Sequence, residues 1–273
     1  MKLTLEKDGR RYSFQTEKGM DISISMNPKG PRAWYVEPMR IEPVRTEQFL
    51  GSVAEGGAVN FRDVYFNPHG HGTHTENVGH IVDTDVPVVN SISSSHFFAK
   101  LVTVVLMRQD VSQGLTEGAS QDLPQDLSQN LETVASQGDW VVNEESLLGI
   151  DLNVEALIIR TKPNDHSKMQ RQYSGTNFPY LTIGAMQRIV DAGVQHLLVD
   201  LPSVDREEDG GALAAHHLFW NVPVEPNFQK TITELIYVPN EIADGTYVLN
   251  LQVSNFANDA APSRPMLFDL EEE

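Results

Sequence analysis

The alternation of apolar and polar residues along the chain predicts a strand-rich protein with few helices. Residues 3–14 form two alternating runs around a turn at Asp8-Gly9, the pattern of a β-hairpin. Residues 22–26, Ile-Ser-Ile-Ser-Met, alternate like a half-buried strand. Apolar runs predict further strands at 101–106, 154–160, 194–200, 231–238 and 247–253.

Residues 182–192 show the periodicity of a helix that buries one face. Their apolar positions are Ile183, Met186, Ile189 and Val190. Gly193 follows as a typical C-terminal stop, and the next strand begins at once. With the strand at 154–160 before it, this segment is a strand–helix–strand unit, which predicts the α/β class. A chain of 273 residues with this pattern is expected to form one domain.

Residues 108–147 differ from the rest of the chain. They are dense in Gln, Ser, Asp and Glu and contain few aromatic residues. This composition predicts a polar surface excursion inserted between two core strands. A smaller accessory region is the alternative.

Composition narrows the classes of function. A formal net charge of -18 argues against nucleic-acid binding, which needs clustered Lys and Arg, and against docking on an anionic membrane. The chain has no cysteine, so a transition metal would have to be bound by His, Asp and Glu. No apolar signal region follows the charged N-terminus and no apolar run spans a bilayer, so we expect a cytoplasmic protein.

Four of the nine histidines fall within residues 69–80. They are His69, His71, His74 and His80. Glycines and Pro68 argue against a regular helix here, and an irregular backbone can turn several imidazoles toward one point. His74 and Glu76 are two apart, so in an extended stretch they project on one face. Imidazole with carboxylate suits zinc or manganese, and ordinary hydrogen-bonded histidines are the alternative.

Gly72-Thr73-His74-x-Glu76-x-x-x-His80 resembles the signature of the cyclase family, which includes bacterial kynurenine formamidases and isatin hydrolases. The usual form of that signature is His-x-Gly-Thr-His-x-Asp-x-Pro-x-His. The resemblance implies that His74 is a metal ligand and that Glu76 takes the place of the family's Asp, which bridges where two metals are present. It implies that His80 acts in acid–base catalysis.

The chain departs from this signature at three places. Gly70 stands where the family has its first histidine, and either His69 or His71 could supply the missing ligand through a one-residue shift. Glu76 is one methylene longer than the family's Asp. Asn77-Val78-Gly79 lacks the family's proline.

A second stretch is similar to the same family's second signature. Ser203-Val204-Asp205 follows the strand at 194–200 and precedes Ala215-His216-His217. The resemblance implies that His216 and a later glutamate, Glu234, complete the metal site. Glu234 also lies in an apolar, strand-like run, where a buried carboxylate needs a partner. An outward-facing glutamate on an edge strand is the alternative.

The resemblance implies a strand-rich, swivelling β/β/α single domain over residues 1–273. It implies a metal-dependent hydrolase of an amide, formamide or cyclic amide (C–N bonds other than peptide bonds, arylformamidase-like). A hydroxide on the metal would attack the carbonyl, with His80 as acid and base. One or two divalent ions, zinc or manganese, would be the cofactor. We expect a small-molecule substrate and a homo-oligomer, a dimer or tetramer.

Two other functions stay open. One is a cyclic amide or lactone hydrolase of the isatin hydrolase kind. The other is a non-catalytic metal- or small-molecule-binding protein that retained the fold. Glu76 and the shifted histidine favour the binding protein, whereas the intact His80 speaks against it.

Overall fold

The computed structural model describes residues 1–7, 9–109 and 138–273. These residues contain seventeen strands, which we number in chain order. The strands are β1 (Lys2–Lys7), β2 (Arg10–Gln15), β3 (Met20–Asp21), β4 (Arg40–Pro43), β5 (Arg62–Tyr65), β6 (His74–Glu76), β7 (His96–Val105), β8 (Met107–Gln109), β9 (Asp139–Val142), β10 (Ala156–Lys162), β11 (Tyr180–Leu181), β12 (His196–Val199), β13 (Thr231–Glu234), β14 (Gly245–Asn250), β15 (Ala260–Pro262), β16 (Met266–Asp269) and β17 (Glu271–Glu272).

Helices are few and short in the described part of the chain. Two are α-helices, α1 (Ile183–Asp191) and α2 (Ala214–Phe219). The 3-10 helices are Thr16–Lys18, Val53–Glu55, Val78–His80, Val88–Ser91, Glu144–Leu147 and His166–Met169. Among these described helices, none is long and apolar enough to cross a membrane.

A mixed sheet of nine strands organises the fold, in the order β15-β6-β13-β12-β10-β7-β14-β16-β3. Its centre is parallel, with β10 between β7 and β12, and β13 next to β12. The remaining pairs are antiparallel, so β6 and β15 finish one edge against β13. The α/β, strand-rich fold expected from the sequence is confirmed.

Each face of this sheet is covered by its own apolar core. Alternate residues of β10 point to opposite faces, so Leu157 and Ile159 pack with the α-helices and Ile158 packs on the other side. All three are completely buried. Burial on both faces explains why β10 reads as a continuous apolar run rather than an alternating one.

Helix α1 connects β10 to the parallel strand β12, as the sequence predicts. The Thr182 side chain accepts a hydrogen bond from the Ala185 N–H (3.1 Å) and so caps the helix. Met186 and Ile189 are fully buried against the sheet. Gly193 follows with a φ of 79°, a left-handed conformation that ends the helix without a Cβ penalty.

The two ends of the polar stretch at 108–147 belong to the folded core of the described residues. Its flanks belong to a three-stranded sheet in which β9 pairs with β8 and β11. Val141, Val142 and Leu147 are buried, so the expectation is corrected for 138–147. The rest of the predicted excursion, residues 110–137, lies outside the described residues.

A buried ion pair fixes the end of β12. Asp200 accepts hydrogen bonds from the Thr161 N–H (2.8 Å) and from Lys168 Nζ (2.7 Å), and both charged side chains are buried. Burial raises the pKa of Asp200 above its ordinary value in spite of the Lys168 ammonium. The pair therefore anchors the loop that leaves β12 toward Asp205.

We expect Asp200→Ala to lower the free energy of unfolding by about 3–5 kcal/mol, because it leaves the Lys168 ammonium buried without its counter-charge. Urea denaturation of the purified variant measures this. Asp83→Ala removes an exposed carboxylate and should stay within about 0.5 kcal/mol of the parent. Equal stabilities of the two variants would contradict the assignment.

Candidate metal centre

Three strands at one edge of the nine-stranded sheet position the candidate centre. Glu234 of β13 lies directly opposite His74 of β6, and Ala260 of β15 lies opposite Glu76. Residues two apart on a strand share a face, as do directly paired residues on neighbouring strands. His74, Glu76 and Glu234 therefore project from the same face of this edge.

Glu76 lies at the middle of the cluster and is 1% exposed. Its Oε2 is 2.9 Å from His69 Nδ1 and 3.9 Å from His80 Nδ1. Its Oε1 is 3.1 Å from His216 Nε2. The two oxygens of one carboxylate thus face different imidazoles.

His74 directs a buried ring nitrogen without a hydrogen-bond partner toward Glu234. Its Nδ1 lies 3.0 Å from the Gly72 carbonyl, which accepts only, so Nδ1 carries the proton. Its Nε2 is buried, has no hydrogen-bond partner within the described residues, and lies 3.4 Å from Glu234 Oε2. Burying a polar nitrogen without a partner is costly, and a cation bound between this nitrogen and the carboxylate would satisfy both.

His216 is held by the loop that follows β12. Asp205 accepts hydrogen bonds from the Ala215 and His216 N–H groups at the start of α2 (2.8 and 3.0 Å). The same carboxylate contacts His216 Nδ1 at 2.6 Å, which directs Nε2 toward Glu76. The ring also packs on the buried Trp220, with 5.3 Å between centroids. A carboxylate behind a histidine is the arrangement that orients metal-ligating imidazoles.

His80 reaches the cluster through a 3-10 turn. Asn77, completely buried, accepts a hydrogen bond from the Gly79 N–H (2.9 Å) and donates to Val86 O and Ser91 Oγ. This turn stands where the cyclase signature has its proline. His80 is 30% exposed at its side chain, and its ring lies against His69 with centroids 4.4 Å apart. His80 therefore faces outward from the cluster.

The structure directs the His69 ring into the cluster and the His71 ring away from it. His71 Nδ1 accepts from the Asn67 N–H (2.8 Å) and its Nε2 donates to Glu37 O (2.7 Å), so both ring nitrogens are engaged elsewhere. A Cβ at Gly70 would meet Val36 Cγ2 at 2.7 Å. A side chain at Gly70 would collide with Val36, and it is the ring of His69 that faces the cluster.

Asp259 is a member of the cluster that the sequence did not reveal. It lies immediately before β15, and its Oδ2 is 2.9 Å from His69 Nε2 and 3.6 Å from His80 Nδ1. It is 190 positions from His69 in the chain, in a turn with no local metal-ligand spacing. The pairing of β15 with β6 is the signal that would have found it, and that pairing is long-range.

The carboxylates of the cluster stabilise positive charge on their neighbours. Burial would lower the pKa of His216, but Asp205 and Glu76 outweigh it and raise that pKa to about 10. Against the same effect of burial, Asp259 and Glu76 raise the pKa of His69 to about 10. Burial would raise the pKa of Glu76, yet His80 and His216 hold it well below its usual range.

This donor set fits a divalent cation. Three groups of imidazole and carboxylate atoms lie close enough together to share an ion, and all include His69 or Glu76. The groups are His69, His74 and Glu76; Glu76, His80 and His216; and His69, His80 and Asp259. The orphaned Nε2 of His74 is the atom that an ion would satisfy.

These features define a strand-rich α/β protein with a candidate metal centre at its sheet edge. Residues 20–206 match the model of the Cyclase family, a span of more than half the chain. The chain belongs to the Cyclase family, and the resemblance seen in its sequence is confirmed. No curated protein sequence matches the chain. His216, Glu234 and Asp259 lie beyond the matched residues, and the structure brings all three to the first signature.

Solved structures similar to this chain share its fold over nearly their whole length. One, described as a predicted metal-dependent hydrolase from Bacillus stearothermophilus, is 15% identical, with a TM-score of 0.56 and coverage of 92% of this chain and 98% of the other. A potential metal-dependent hydrolase with cyclase activity is 16% identical, with a TM-score of 0.57 and the same coverage. An isatin hydrolase bound to the product analogue thioisatinate is 11% identical, with a TM-score of 0.56 and 93% coverage of each chain.

We expect His69→Ala to lose bound metal and His71→Ala to retain most of it, because only the His69 ring faces the cluster. Elemental analysis of protein purified without chelator measures the metal content. His71→Ala should instead lower the free energy of unfolding by about 1–3 kcal/mol, since it removes a buried ring that makes two hydrogen bonds, each typically contributing about 0.5–1.5 kcal/mol. Metal loss in His71→Ala with full retention in His69→Ala would refute the placement.

Proposed function

We propose that this protein is a metal-dependent hydrolase that acts on an amide, formamide or cyclic amide. The buried Nε2 of His74, without a hydrogen-bond partner in the described residues and beside Glu234, carries the proposal, because a cation bound in the cluster would satisfy both groups. Membership of the Cyclase family supports it. So do neighbours of the same fold that are described as metal-dependent hydrolases and as an isatin hydrolase.

His69, His74 and Glu76 would hold a divalent ion. His216, on the other oxygen of Glu76, and Glu234, which contacts both His74 and His216, would complete the site. A bound zinc or manganese ion supplies a Lewis acid for a carbonyl oxygen and lowers the pKa of a coordinated water to about 7. Asp205 orients His216 through Nδ1. Glu76, whose pKa is well below its usual range, remains ionised and so contributes charge at neutral pH.

His80 is the proposed acid–base group. It is the most exposed imidazole of the cluster, and it is stacked on His69 at the outer side where a substrate would arrive. In amide hydrolysis the departing nitrogen needs a proton, and an imidazole can deliver it and take one from water. Asn77 sets the position of His80, since its side chain closes the 3-10 turn that carries this histidine.

A cyclic amide or lactone hydrolase of the isatin hydrolase kind is the second candidate. The observation that favours it is the similarity in fold to an isatin hydrolase in complex with a product analogue. It uses the same cluster and the same role for His80. The two candidates therefore differ in substrate alone, and a screen of N-formyl aromatic amides against cyclic amides and lactones separates them.

The test compares His80→Ala with Glu234→Ala. We expect His80→Ala to keep its metal and to lose roughly 10²- to 10⁴-fold in turnover, the usual contribution of a positioned acid–base group. Glu234→Ala should lose metal affinity along with activity, because it removes a proposed ligand. Elemental analysis and steady-state kinetics on the best substrate of the screen provide both readouts.

Several outcomes would contradict parts of this proposal. Equal metal loss in the two variants would make His80 a ligand. Full activity of His80→Ala on a verified substrate would remove its acid–base role. A parent protein that binds neither zinc nor manganese would refute the hydrolase. A protein that binds metal and turns over none of the amides, formamides, cyclic amides or lactones would be a non-catalytic metal-binding protein, the alternative that the sequence leaves open.

A further inference from the structure

Asp259 has a fixed position beside the cluster and no part in the function proposed above. Its backbone oxygen accepts a hydrogen bond from the Asn77 N–H (3.0 Å), which extends the pairing of β15 with β6 by one step. Its side chain is partly buried, and its Oδ2 meets His69 Nε2 at 2.9 Å with hydrogen-bond geometry. The backbone thus aims this carboxylate at His69.

The surroundings of His69 repeat those of His216 on the opposite side of Glu76. His216 lies between Glu76 at Nε2 (3.1 Å) and Asp205 at Nδ1 (2.6 Å). His69 lies between Glu76 at Nδ1 (2.9 Å) and Asp259 at Nε2 (2.9 Å). Each imidazole therefore has a central carboxylate on one nitrogen and an outer carboxylate on the other.

We infer that Asp259 is the positioning residue for His69, in the role that Asp205 has for His216. This inference rests on the proposed function. A carboxylate only accepts, so Asp259 holds a proton on His69 Nε2 and leaves Nδ1, beside Glu76, as the nitrogen that would give up its proton to a bound metal. An outer carboxylate also raises the basicity of the ligand and restricts rotation of its ring.

His69 needs such a partner because of where it lies. It precedes β6 in an irregular loop, so no strand register fixes its side chain, and that side chain is 20% exposed. Gly70 occupies the position from which a side chain is excluded by Val36. A histidine displaced by one residue can still point at the centre, provided that its far nitrogen is tied down, and Asp259 is the group that contacts it.

The experiment measures zinc affinity by competition with a chromophoric chelator. It compares the parent protein with Asp259→Ala, Asp259→Asn and the control Asp83→Asn. Asp83 is exposed and gives the same change in net charge as Asp259→Asn. Thermal unfolding of each metal-free protein shows whether the fold is retained, and Asp259→Asn serves if Asp259→Ala does not fold.

We expect Asp259→Ala to weaken zinc binding by roughly 10- to 100-fold, the usual effect of losing an outer partner of a metal-ligating histidine. Asp259→Asn should lose less, because its amide oxygen still accepts from His69 Nε2–H. Asp83→Asn should bind zinc as the parent does.

Unchanged zinc affinity in Asp259→Ala would overturn the inference while the proposed function stands. Equal large losses in Asp259→Ala and Asp259→Asn would also overturn it, because they would make Asp259 a direct ligand that needs its charge. A parent protein without zinc or manganese affinity would refute the proposed function, and the inference with it. The parent measurement therefore separates the two failures.

Discussion

The buried carboxylate of Glu76 is the constraint on which the rest of the site depends. An ionised group at 1% exposure is tolerated only if its charge is compensated, and its two oxygens recruit imidazoles from distant parts of the chain. Those imidazoles are buried in turn, so each requires its own acceptor. The outer carboxylates Asp205 and Asp259 meet that requirement. Charge compensation around one side chain thus accounts for the arrangement of the whole cluster.

The sheet makes this accumulation of charge possible. His74 and Glu76 lie on β6, which is hydrogen-bonded on both sides, to β13 and β15. The backbone of β6 therefore has its hydrogen bonds satisfied, and the cost of burying the charged side chains falls on the side chains alone. The anchor of Asp200 to Lys168 fixes the loop toward Asp205 from within the core. Three candidate ligands, His74, Glu76 and Glu234, lie on strands of the sheet, whereas the half-buried His80 is carried by a short turn.

The local sequence pattern was enough to predict the elements that are marked by an apolar run or by apolar residues at regular spacing. The hairpin of β1 and β2, the strand β10 and the helix α1 follow from spacing within a few residues. The pair β4 and β5 does not, because its residues are largely exposed and leave no alternation to detect. The membership of Asp259 in the cluster depends on a long-range strand pairing, and the opposite directions of His69 and His71 depend on their long-range contacts with Asp259 and Glu37. Neither is encoded in any short stretch of sequence.

The exclusion of a side chain at Gly70 has a consequence for how such proteins are recognised. His74 and Glu76 lie on β6, where the pleat of the strand fixes the spacing of their side chains. His69 lies in the preceding loop, where a shift of one residue still brings an imidazole to the same point. A sequence motif with fixed spacing between its residues would reject this chain at its first histidine. A template of ring and carboxylate atoms in three dimensions would accept it. Divergent members of such families are thus better found by comparing the three-dimensional arrangement of their site atoms than by matching a sequence pattern.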